Sequence, residues 1–369
     1  MNACERRDLG VAVDAANLAH DRRGMGRLAR GVLIAAAESG DIAITLLADK
    51  RRDRRALARE FPYPVEPTHC ARDRDRFDVV WYPFNGMRFR AHAPSLVSVH
   101  DAFAFTLPAG GPVARMREQR PMRRAARDAT RLLANSQWTR EEISRELAVD
   151  RERIVVVPPS PDPFWFPASD PDFSEADPAY ATNALPAALG GARYVVFVGP
   201  SEARKNVRLA IDACARAFRE PRELLVIVGE LRSADRAYAR RSGVRAGEIA
   251  ASDTLLRTLY RHAEMVVVPS HGEGFGLVAI EAMACGTPVL AADSAALPEA
   301  TAGAAALLDP DDVALWAGAI RSLLDEPARR DELRARATTT FAFADRMASA
   351  RTTLTVLRDV ASNRTRGRP

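Results

Sequence analysis

Short apolar runs alternate with amphipathic stretches along the first half of the chain. Strands are predicted at residues 9–14, 42–47, 79–82, 95–99, 131–134 and 154–157. Helical periodicity lies between them, near residues 26–37, 113–130 and 139–147. Near-continuous apolar strands separated by amphipathic helices are typical of parallel sheets covered on both faces. We therefore predict a Rossmann-like, doubly wound α/β domain over residues 1–157.

The alternation stops at residue 158 and restarts near residue 191. Eight of the chain's 24 prolines fall in residues 158–189, which favours a linker over residues 158–190 rather than a domain interior. Further strands are predicted at residues 194–198, 224–228, 265–268 and 288–291, and helices at residues 207–218, 254–262, 277–284 and 311–324.

This second pattern predicts another doubly wound domain over residues 191–340. Asp309 is the expected N-cap of its last helix. From residue 341 a C-terminal helix is expected to pack back towards the first domain and to fray from Asn363. Because such sheets bind ligands at the carboxyl ends of their strands, we expect a site in a cleft where the two domains face each other.

Composition excludes several classes of protein. At 47% apolar and 27% charged residues the chain is an ordinary globular sequence, and no apolar run is long enough to span a membrane. The polar N-terminus predicts no secretory signal. The four cysteines lie far apart, without metal-ligand spacing. We therefore expect no metal site, no disulfide framework and a cytoplasmic location.

Charge divides the chain unevenly. Residues 1–150 hold 26 basic and 20 acidic side chains, whereas residues 251–350 hold 8 and 14. The basic first half favours an anionic partner. Nucleic acid is the weaker candidate, because aromatic and basic residues do not interleave and no nucleic-acid motif matches; a membrane surface or a phosphorylated acceptor fits better, and we expect no nucleic-acid partner. Only two of the 53 basic residues are lysines, Lys50 and Lys205, so Lys205 within a motif-like segment requires an explanation.

A glycine-rich turn follows the predicted strand at residues 265–268. Its glycines, Gly272, Gly274 and Gly276, allow backbone N–H groups to approach an anion at the start of the next helix. Glu273 lies in the turn and Glu281 about one helical turn further on. Carboxylates beside a phosphate site are suited to accept hydrogen bonds from ribose or sugar hydroxyls. The same spacing also fits two solvated glutamates on a common strand–turn–helix.

A second phosphate feature follows the predicted strand at residues 194–198. That strand ends at Gly199, and Arg204-Lys205-Asn206 then opens a helix. Cations at a helix start oppose the helix dipole, so their presence indicates an anion nearby. Two cations at a strand's carboxyl end suit a diphosphate, although a solvated pair is the alternative.

Residues 194–312 resemble the nucleotide-sugar half of glycosyltransferase family 4, whose members are retaining enzymes of the GT-B fold. Glu273 and Glu281 stand at the family's Glu, seven residues, Glu spacing, and the flanking Glu-Gly-Phe-Gly-Leu and Glu-Ala-Met-Ala-Cys-Gly-Thr-Pro-Val match its signature. One departure is Pro200, because many members carry arginine there, and Arg204 is the expected substitute. The resemblance implies donor-binding roles for Gly199, Gly274, Phe275, Gly276, Leu277 and Glu281.

The first half resembles the family more loosely. Gly24-Met25-Gly26 is similar to the family's glycine loop after the first strand and is expected to bind acceptor or phosphate. His100 resembles the histidine that contacts the sugar, and Ser136, after the next strand, resembles the family's usual serine. Taken alone, a histidine at a strand end is more often structural; the order of these three features favours the functional interpretation.

The resemblance implies transfer of a sugar from a nucleoside-diphosphate donor with retention at the anomeric carbon, without a metal. Lys205, Arg204 and the amides after Gly274 would stabilise the leaving diphosphate. Glu273 and His100 would hold the sugar. GDP-mannose is the expected donor, and a growing surface polysaccharide or lipid-linked glycan of a bacterium, such as lipopolysaccharide, the expected acceptor.

Seven arginines between Arg115 and Arg131 indicate possible contact with anionic lipid at the inner face of the cytoplasmic membrane; a solvated basic helix is the alternative. A dehydrogenase is disfavoured because no third glycine follows Gly24 and Gly26. A nucleotide-sugar epimerase or sugar phosphorylase of the same architecture remains the runner-up. A non-catalytic nucleotide-sugar-binding protein is a third class.

Overall fold

The described chain folds around two parallel β-sheets. The structure is a computed structural model that describes residues 8–21, 24–73, 75–107, 111–162, 164–167, 189, 191–341, 345 and 347–366. Contacts along the chain divide it into two units, one of residues 1–162 with 345–369 and one of residues 163–344.

Apolar β-branched runs form the strands, as the pattern predicts. In chain order the described strands are β1 Leu9–Asp14, β2 Ile42–Leu47, β3 Val65–Glu66, β4 Val79–Tyr82, β5 Ser95–Val99, β6 Arg131–Ala134, β7 Ile154–Val156, β8 Arg193–Val198, β9 Glu223–Val228, β10 Ala246–Ile249, β11 Met265–Val268, β12 Val289–Ala292 and β13 Ala306–Leu308.

The helices cover both faces of these sheets. The described α-helices are α1 Gly24–Ser39, α2 Arg51–Glu60, α3 Phe103–Thr106, α4 Pro112–Asp128, α5 Gln137–Leu147, α6 Val207–Ala217, α7 Ser233–Ser242, α8 Asp253–His262, α9 Leu277–Ala284, α10 Leu297–Thr301, α11 Val313–Asp325, α12 Pro327–Phe341 and α13 Ala348–Arg366. None of the described helices is both long and apolar enough to cross a membrane.

The first unit contains a seven-stranded sheet in the order β3-β2-β1-β4-β5-β6-β7. Its neighbouring strands are parallel, and Val13 of β1 lies opposite Trp81 of β4. The order reverses between β1 and β4, which creates a topological switch point at the carboxyl ends of those strands. The last helix, α13, packs its Leu354, Leu357 and Val360 into the core that α1 covers.

The second unit contains a six-stranded parallel sheet in the order β10-β9-β8-β11-β12-β13, with its own switch point between β8 and β11. All residues of β9 and β11 are buried, because helices cover both faces. These two sheets confirm the predicted α/β class with two doubly wound Rossmann-like sheets.

Part of the proline-rich segment is packed rather than linker-like. Trp165 and Phe166 are each 1% exposed, and Trp165 lies 5.6 Å from Tyr260 of α8, centroid to centroid. Arg257 donates to the Phe164 carbonyl at 3.1 Å and stacks on its ring. The interpretation as linker is therefore wrong for residues 164–167, because aromatic burial outweighs the proline signal. Residues 168–188 and 190 of the predicted linker lie outside the described residues.

The ends of two helices, α11 and α13, differ from the predictions. The cap of α11 is Asp312, whose carboxylate accepts from the Leu315 amide at 2.9 Å, whereas Asp309 accepts from the Asp311 amide one turn earlier. The C-terminal helix begins at Ala348 and continues through Arg366, beyond the predicted fray at Asn363.

Gly26 of α1 has no room for a side chain because the backbone of Asp21 lies close to it. A Cβ on Gly26 would lie 2.0 Å from the Asp21 carbonyl oxygen, whereas one on Gly31 of the same helix would meet nothing within 4 Å. We expect Gly26→Ala to lower the free energy of unfolding by about 1–3 kcal/mol through overpacking. Gly31→Ala is the matched control and should raise it by about 0.5–1 kcal/mol. Denaturant unfolding measures both, and equal effects of the two substitutions would contradict the close approach.

Candidate active site

The carboxyl ends of β8 and β9 meet at two glycines. Gly199 follows β8 with φ 146°, and Gly229 follows β9 with φ 138°. A Cβ on Gly229 would lie 2.5 Å from the Gly199 carbonyl oxygen, so only glycine fits there. This close approach leads the chain after β8 out of the sheet and into the predicted cationic segment.

A tight turn holds the two cations of that segment. Residues Ala203–Lys205 form a single 3₁₀ turn, and Asn206 ends it in the left-handed region with φ 54°. The Asn206 side-chain amide donates to the Pro310 carbonyl at 2.9 Å, which fixes this unusual residue. Lys205 consequently turns inward and is only 9% exposed.

Glu273 is the carboxylate that pairs with these two cations. Its Oε1 accepts from Lys205 Nζ at 2.6 Å and from Ser270 Oγ at 2.8 Å. Its Oε2 lies 3.4 Å from Arg204 Nη1. Burial alone would raise the pKa of this carboxyl, but Lys205, Arg204 and the hydrogen bonds outweigh it, so the pKa of Glu273 lies below its usual value. Glu273 is therefore ionised at neutral pH.

Arg204 links this cluster to the adjoining loops. Besides Glu273 it contacts the Gly272 carbonyl at 3.2 Å and the Glu202 carboxylate at 2.8 Å. The position of an internal carboxylate between two cations was not foreseen from the sequence, which assigned the cations to an external diphosphate. With Glu202 included, the cluster holds two cations and two carboxylates at the carboxyl edge of the sheet.

The glycine-rich turn brings a helix start to the same edge. Gly276 has φ 106°, and a Cβ there would lie 2.7 Å from Leu297 Cδ2, so the turn from Gly274 through the buried Phe275 to Leu277 requires glycine. Helix α9 begins at Leu277 with no side-chain cap and no acidic residue in its first turn. Such a helix start favours an anion. Glu281, one turn further, is 7% exposed.

His100 occupies the corresponding edge of the first unit. Its Nε2 lies 2.8 Å from the Pro83 carbonyl oxygen. A carbonyl oxygen only accepts, so Nε2 carries the proton and Nδ1 retains its lone pair. The His100 amide donates to Asn85 Oδ1 at 2.6 Å, and Asn135 Nδ2 donates to the His100 carbonyl at 2.9 Å. Burial lowers the pKa of His100, which keeps the ring neutral at pH 7.

The predicted glycine loop lies next to this histidine. Met25 and His100 line one cavity of about 50 Å³ in the first unit. The interpretation of residues 24–26 as a loop is wrong, because Gly24 begins α1. Arg30 fixes the preceding segment by donating to the Asp21 and Leu18 carbonyls at 2.6 and 2.8 Å.

Three polar residues that hold the site were not identified from the sequence. Ser270 binds Glu273, while Asn85 and Asn135 bind the His100 backbone. A signal existed for each, since each follows a strand's carboxyl end by one to three residues. Among the described residues no group of three or more His, Cys, Asp or Glu side chains is arranged to hold a metal, and metal independence stays a prediction.

Two family models match the chain. The model described as "Glycosyltransferase Family 4" matches residues 24–163, and "Glycosyl transferases group 1" matches residues 186–340. The O-antigen chain mannosyltransferase B of Escherichia coli is 30% identical over 267 residues, covering 69% of this chain and 68% of that protein. A D-inositol 3-phosphate glycosyltransferase of Kineococcus radiotolerans is 35% identical over 237 residues, covering 57% of this chain and 52% of that protein. This chain thus spans about half the length of that relative.

Solved structures share the fold. WaaG, a glycosyltransferase involved in lipopolysaccharide biosynthesis, aligns with a TM-score of 0.68 at 16% identity, covering 95% of this chain and 99% of that one. Anabaena Alr3699/HepE in complex with UDP-glucose aligns with a TM-score of 0.68 at 18% identity, covering 96% and 99%. The two parallel sheets and these neighbours define the GT-B fold class. Within that class, the chain belongs to glycosyltransferase family 4.

The buried ion pair generates a testable coupling. Lys205→Met leaves Glu273 with Arg204 and Ser270 only, and we expect it to lower the free energy of unfolding by about 1–3 kcal/mol. Lys205→Met combined with Glu273→Gln should recover much of that loss, because no charge is then left unpaired. The exposed pair of Arg336 and Glu332 is the control and should show a coupling of about 0.3–0.5 kcal/mol.

Acidification should abolish this coupling. Since the folded-state pKa of Glu273 is lowered from 4.5, the coupling is fully present above that pH and is lost as the pH falls through the lower folded value. Urea unfolding of the parent protein, Lys205→Met, Glu273→Gln and the double variant between pH 3 and pH 8 measures it. A coupling no larger than that of the exposed pair would show that Lys205 does not stabilise Glu273.

Proposed function

We propose that this glycosyltransferase moves a hexose, with mannose as the first candidate, from a nucleoside-diphosphate sugar to a growing surface polysaccharide or lipid-linked glycan. The observation that supports the proposal is the cluster of Lys205, Arg204 and Glu273 at the carboxyl edge of the second sheet. It lies in the unit whose sequence resembles the family's nucleotide-sugar half. The mannosyltransferase relative supports mannose, and the UDP-glucose complex of a fold neighbour supports a nucleotide-sugar donor.

In this proposal the cluster stabilises charge on the departing diphosphate. Lys205 has three N–H donors, and Glu273 takes one of them. No other described residue accepts from Lys205, so the remaining two can donate to phosphate oxygens, while Arg204 and the amides at the start of α9 add positive charge. A cation fixed before the reaction needs no reorganisation when charge develops, which is what makes such groups effective. The scheme requires no metal.

Glu273 serves two purposes in the proposed reaction. Through Oε1 it orients Lys205, and among the described residues Oε2 has the single long contact with Arg204, so it retains capacity to accept from a sugar hydroxyl. Glu281 is the proposed partner of the ribose hydroxyls. Neutral His100 presents Nδ1 as an acceptor from the first unit. No side chain is proposed as a covalent nucleophile, in keeping with retention through front-face displacement.

Nucleotide binding tests the donor site directly. In the presence of EDTA, we expect GDP to stabilise the protein more than UDP, dTDP or ADP, by about 2.7 kcal/mol at 100 times its dissociation constant. The double variant Lys205→Met with Glu273→Gln should fold and lose this stabilisation. Lys50→Ala removes the only other lysine and should retain it.

Transfer activity completes that test. We expect Lys205→Ala and Glu273→Ala each to reduce transfer of radiolabelled mannose at least a hundredfold. Full activity of both variants would refute the assignment of this site. Isomerisation of the donor without an acceptor, or dependence on inorganic phosphate, would instead establish the epimerase or phosphorylase alternative.

The basic helix supports peripheral membrane contact as a second element of the proposal. Arg123 stacks on Phe105, and Arg124 donates to the Arg88 carbonyl, so the second half of α4 is engaged within the unit. In the first half, Val113 and Met116 are 68% and 64% exposed. Arginines follow at positions 115, 117 and 120. Exposed apolar residues among arginines suit an anionic lipid surface.

Vesicle sedimentation tests this contact. We expect binding to vesicles containing phosphatidylglycerol at low salt, and weaker binding for the double variant Val113→Ser, Met116→Ser. Leu315→Ser changes a comparably exposed apolar residue, 45% exposed, in the other unit, and should bind as the parent protein does. Equal binding of all three proteins, or none by the parent, would contradict the membrane contact.

A further inference from the structure

A second group of charged residues lies at the switch point of the first sheet. Asp14 ends β1, Asp49 follows β2 by two residues, and Arg88 lies between β4 and β5. Ligands of open parallel sheets bind outside the carboxyl ends of strands at such a reversal. The site cluster described above uses the switch point of the second sheet and leaves this one unassigned.

Arg88 and Asp14 form a forked ion pair. Arg88 Nε donates to Asp14 Oδ2 at 2.8 Å, and its Nη2 pairs with Oδ1. The Asp14 side chain is 6% exposed, whereas that of Arg88 is 37% exposed. A buried carboxylate therefore fixes the plane of a guanidinium that still reaches solvent. Within the part of the chain that the structure describes, Arg88 Nη1 donates to nothing.

The ion pair is not needed to position its segment. The Met87 amide donates to the Pro121 carbonyl at 3.0 Å, and Arg124 Nη1 donates to the Arg88 carbonyl at 2.7 Å. A Cβ on Gly86 would lie 2.6 Å from the Pro121 carbonyl carbon. Helix α4 thus holds residues 86–88 from outside. The Asp14–Arg88 pair orients a side chain rather than a loop.

Asp49 supplies a hydrogen-bond acceptor at the same edge of the sheet. Its Oδ1 accepts from the Thr68 amide and hydroxyl at 3.1 and 2.6 Å, and Oδ2 is left without a donor among the described residues. Asp49 is exposed, and its carboxylate and the Arg88 guanidinium influence one another's pKa. One fixed donor and one fixed acceptor match neighbouring hydroxyls of a sugar, each of which donates and accepts.

The balance of charge disfavours a phosphorylated ligand. Arg88 pairs directly with Asp14, and the carboxylates of Asp49 and Asp53 lie near enough to raise its pKa. Among the described neighbours, Asp53 is bound by His20 at 2.9 Å, and Arg54 donates to the Ala48 carbonyl. A phosphate bound at Nη1 would meet these carboxylates, whereas an uncharged sugar would not.

We propose that Arg88 and Asp49 bind hydroxyl groups of the acceptor, with Asp14 as the positioning residue, and that the acceptor at this position is an uncharged sugar rather than a phosphorylated polyol. This inference rests on the proposed transferase function, because it names the substrate class of the same reaction. The donor cluster in the second unit plays no part in it.

Acceptor-stimulated release of nucleotide from GDP-mannose tests the inference. The probes are methyl glycosides of mannose, glucose, galactose, rhamnose and N-acetylglucosamine, and inositol 3-phosphate. We expect at least one glycoside to stimulate release and inositol 3-phosphate to have no effect. Asp49→Asn, at an exposed position where folding is not at stake, and Arg88→Gln should each raise the half-saturating glycoside concentration at least tenfold. Arg90→Gln, outside the proposed site, is the variant expected to leave release without acceptor and the donor KM unchanged.

Matched variants separate a binding role from a structural one. Arg90→Gln removes another arginine of the same segment, paired with Asp128 at 3.0 Å, and should leave glycoside saturation unaltered. Asp14→Asn frees the guanidinium from one carboxylate, and should make inositol 3-phosphate a competitive inhibitor against the glycoside.

The inference is overturned if inositol 3-phosphate stimulates release and no glycoside does, or if Asp49→Asn and Arg88→Gln leave glycoside saturation unchanged. Absence of both nucleotide-induced stabilisation and donor turnover would instead refute the proposed function itself. Nucleotide stabilisation without stimulation by any glycoside would refute the acceptor inference alone.

Discussion

The ionised carboxylate of Glu273, in a place from which water is largely excluded, is the constraint on which the second unit's site depends. A buried charge is tolerated only with good partners, because its desolvation is costly. The chain supplies them from two elements, with Lys205 and Arg204 after β8 and Ser270 after β11. These elements flank the switch point of the six-stranded sheet, so satisfying one carboxylate also assembles a cationic surface there.

The first unit also holds its polar site residues in place, but it does so through other groups. Burial lowers the pKa of His100 and so keeps its ring neutral, while contacts of its ring and backbone with Pro83, Asn85 and Asn135 hold it in place. At the adjacent switch point, Asp14 keeps Arg88 fixed and its charge compensated. One sheet therefore presents two cations whose positions are fixed by carboxylates, and the other presents balanced hydrogen-bonding groups suited to hydroxyls.

The sequence was sufficient for features that depend on local pattern. Apolar runs located ten of the thirteen described strands within about one residue, since period and β-branching act over short distances, and missed the short edge strands β3, β10 and β13. The scarcity of lysine and the Glu273 spacing singled out Lys205 and Glu273. The contact between them could not be predicted, because 68 residues separate them and sequence spacing does not reveal which cation pairs with which carboxylate. Trp165 shows the converse failure: its proline-rich surroundings indicated a linker, and only its packing against Tyr260 reveals a core position.

The crossing of Gly199 and Gly229 has a consequence for genetics. Gly229 makes no proposed contact with any substrate, yet any side chain there would collide with the Gly199 carbonyl. A screen for loss of activity would therefore score Gly229 as essential, alongside residues such as Lys205. Selection would remove variation at this position because the backbone of Gly199 lies too close for a side chain. Intolerance to substitution at this edge of the sheet therefore does not distinguish residues that take part in the reaction from residues that only allow two backbone segments to approach.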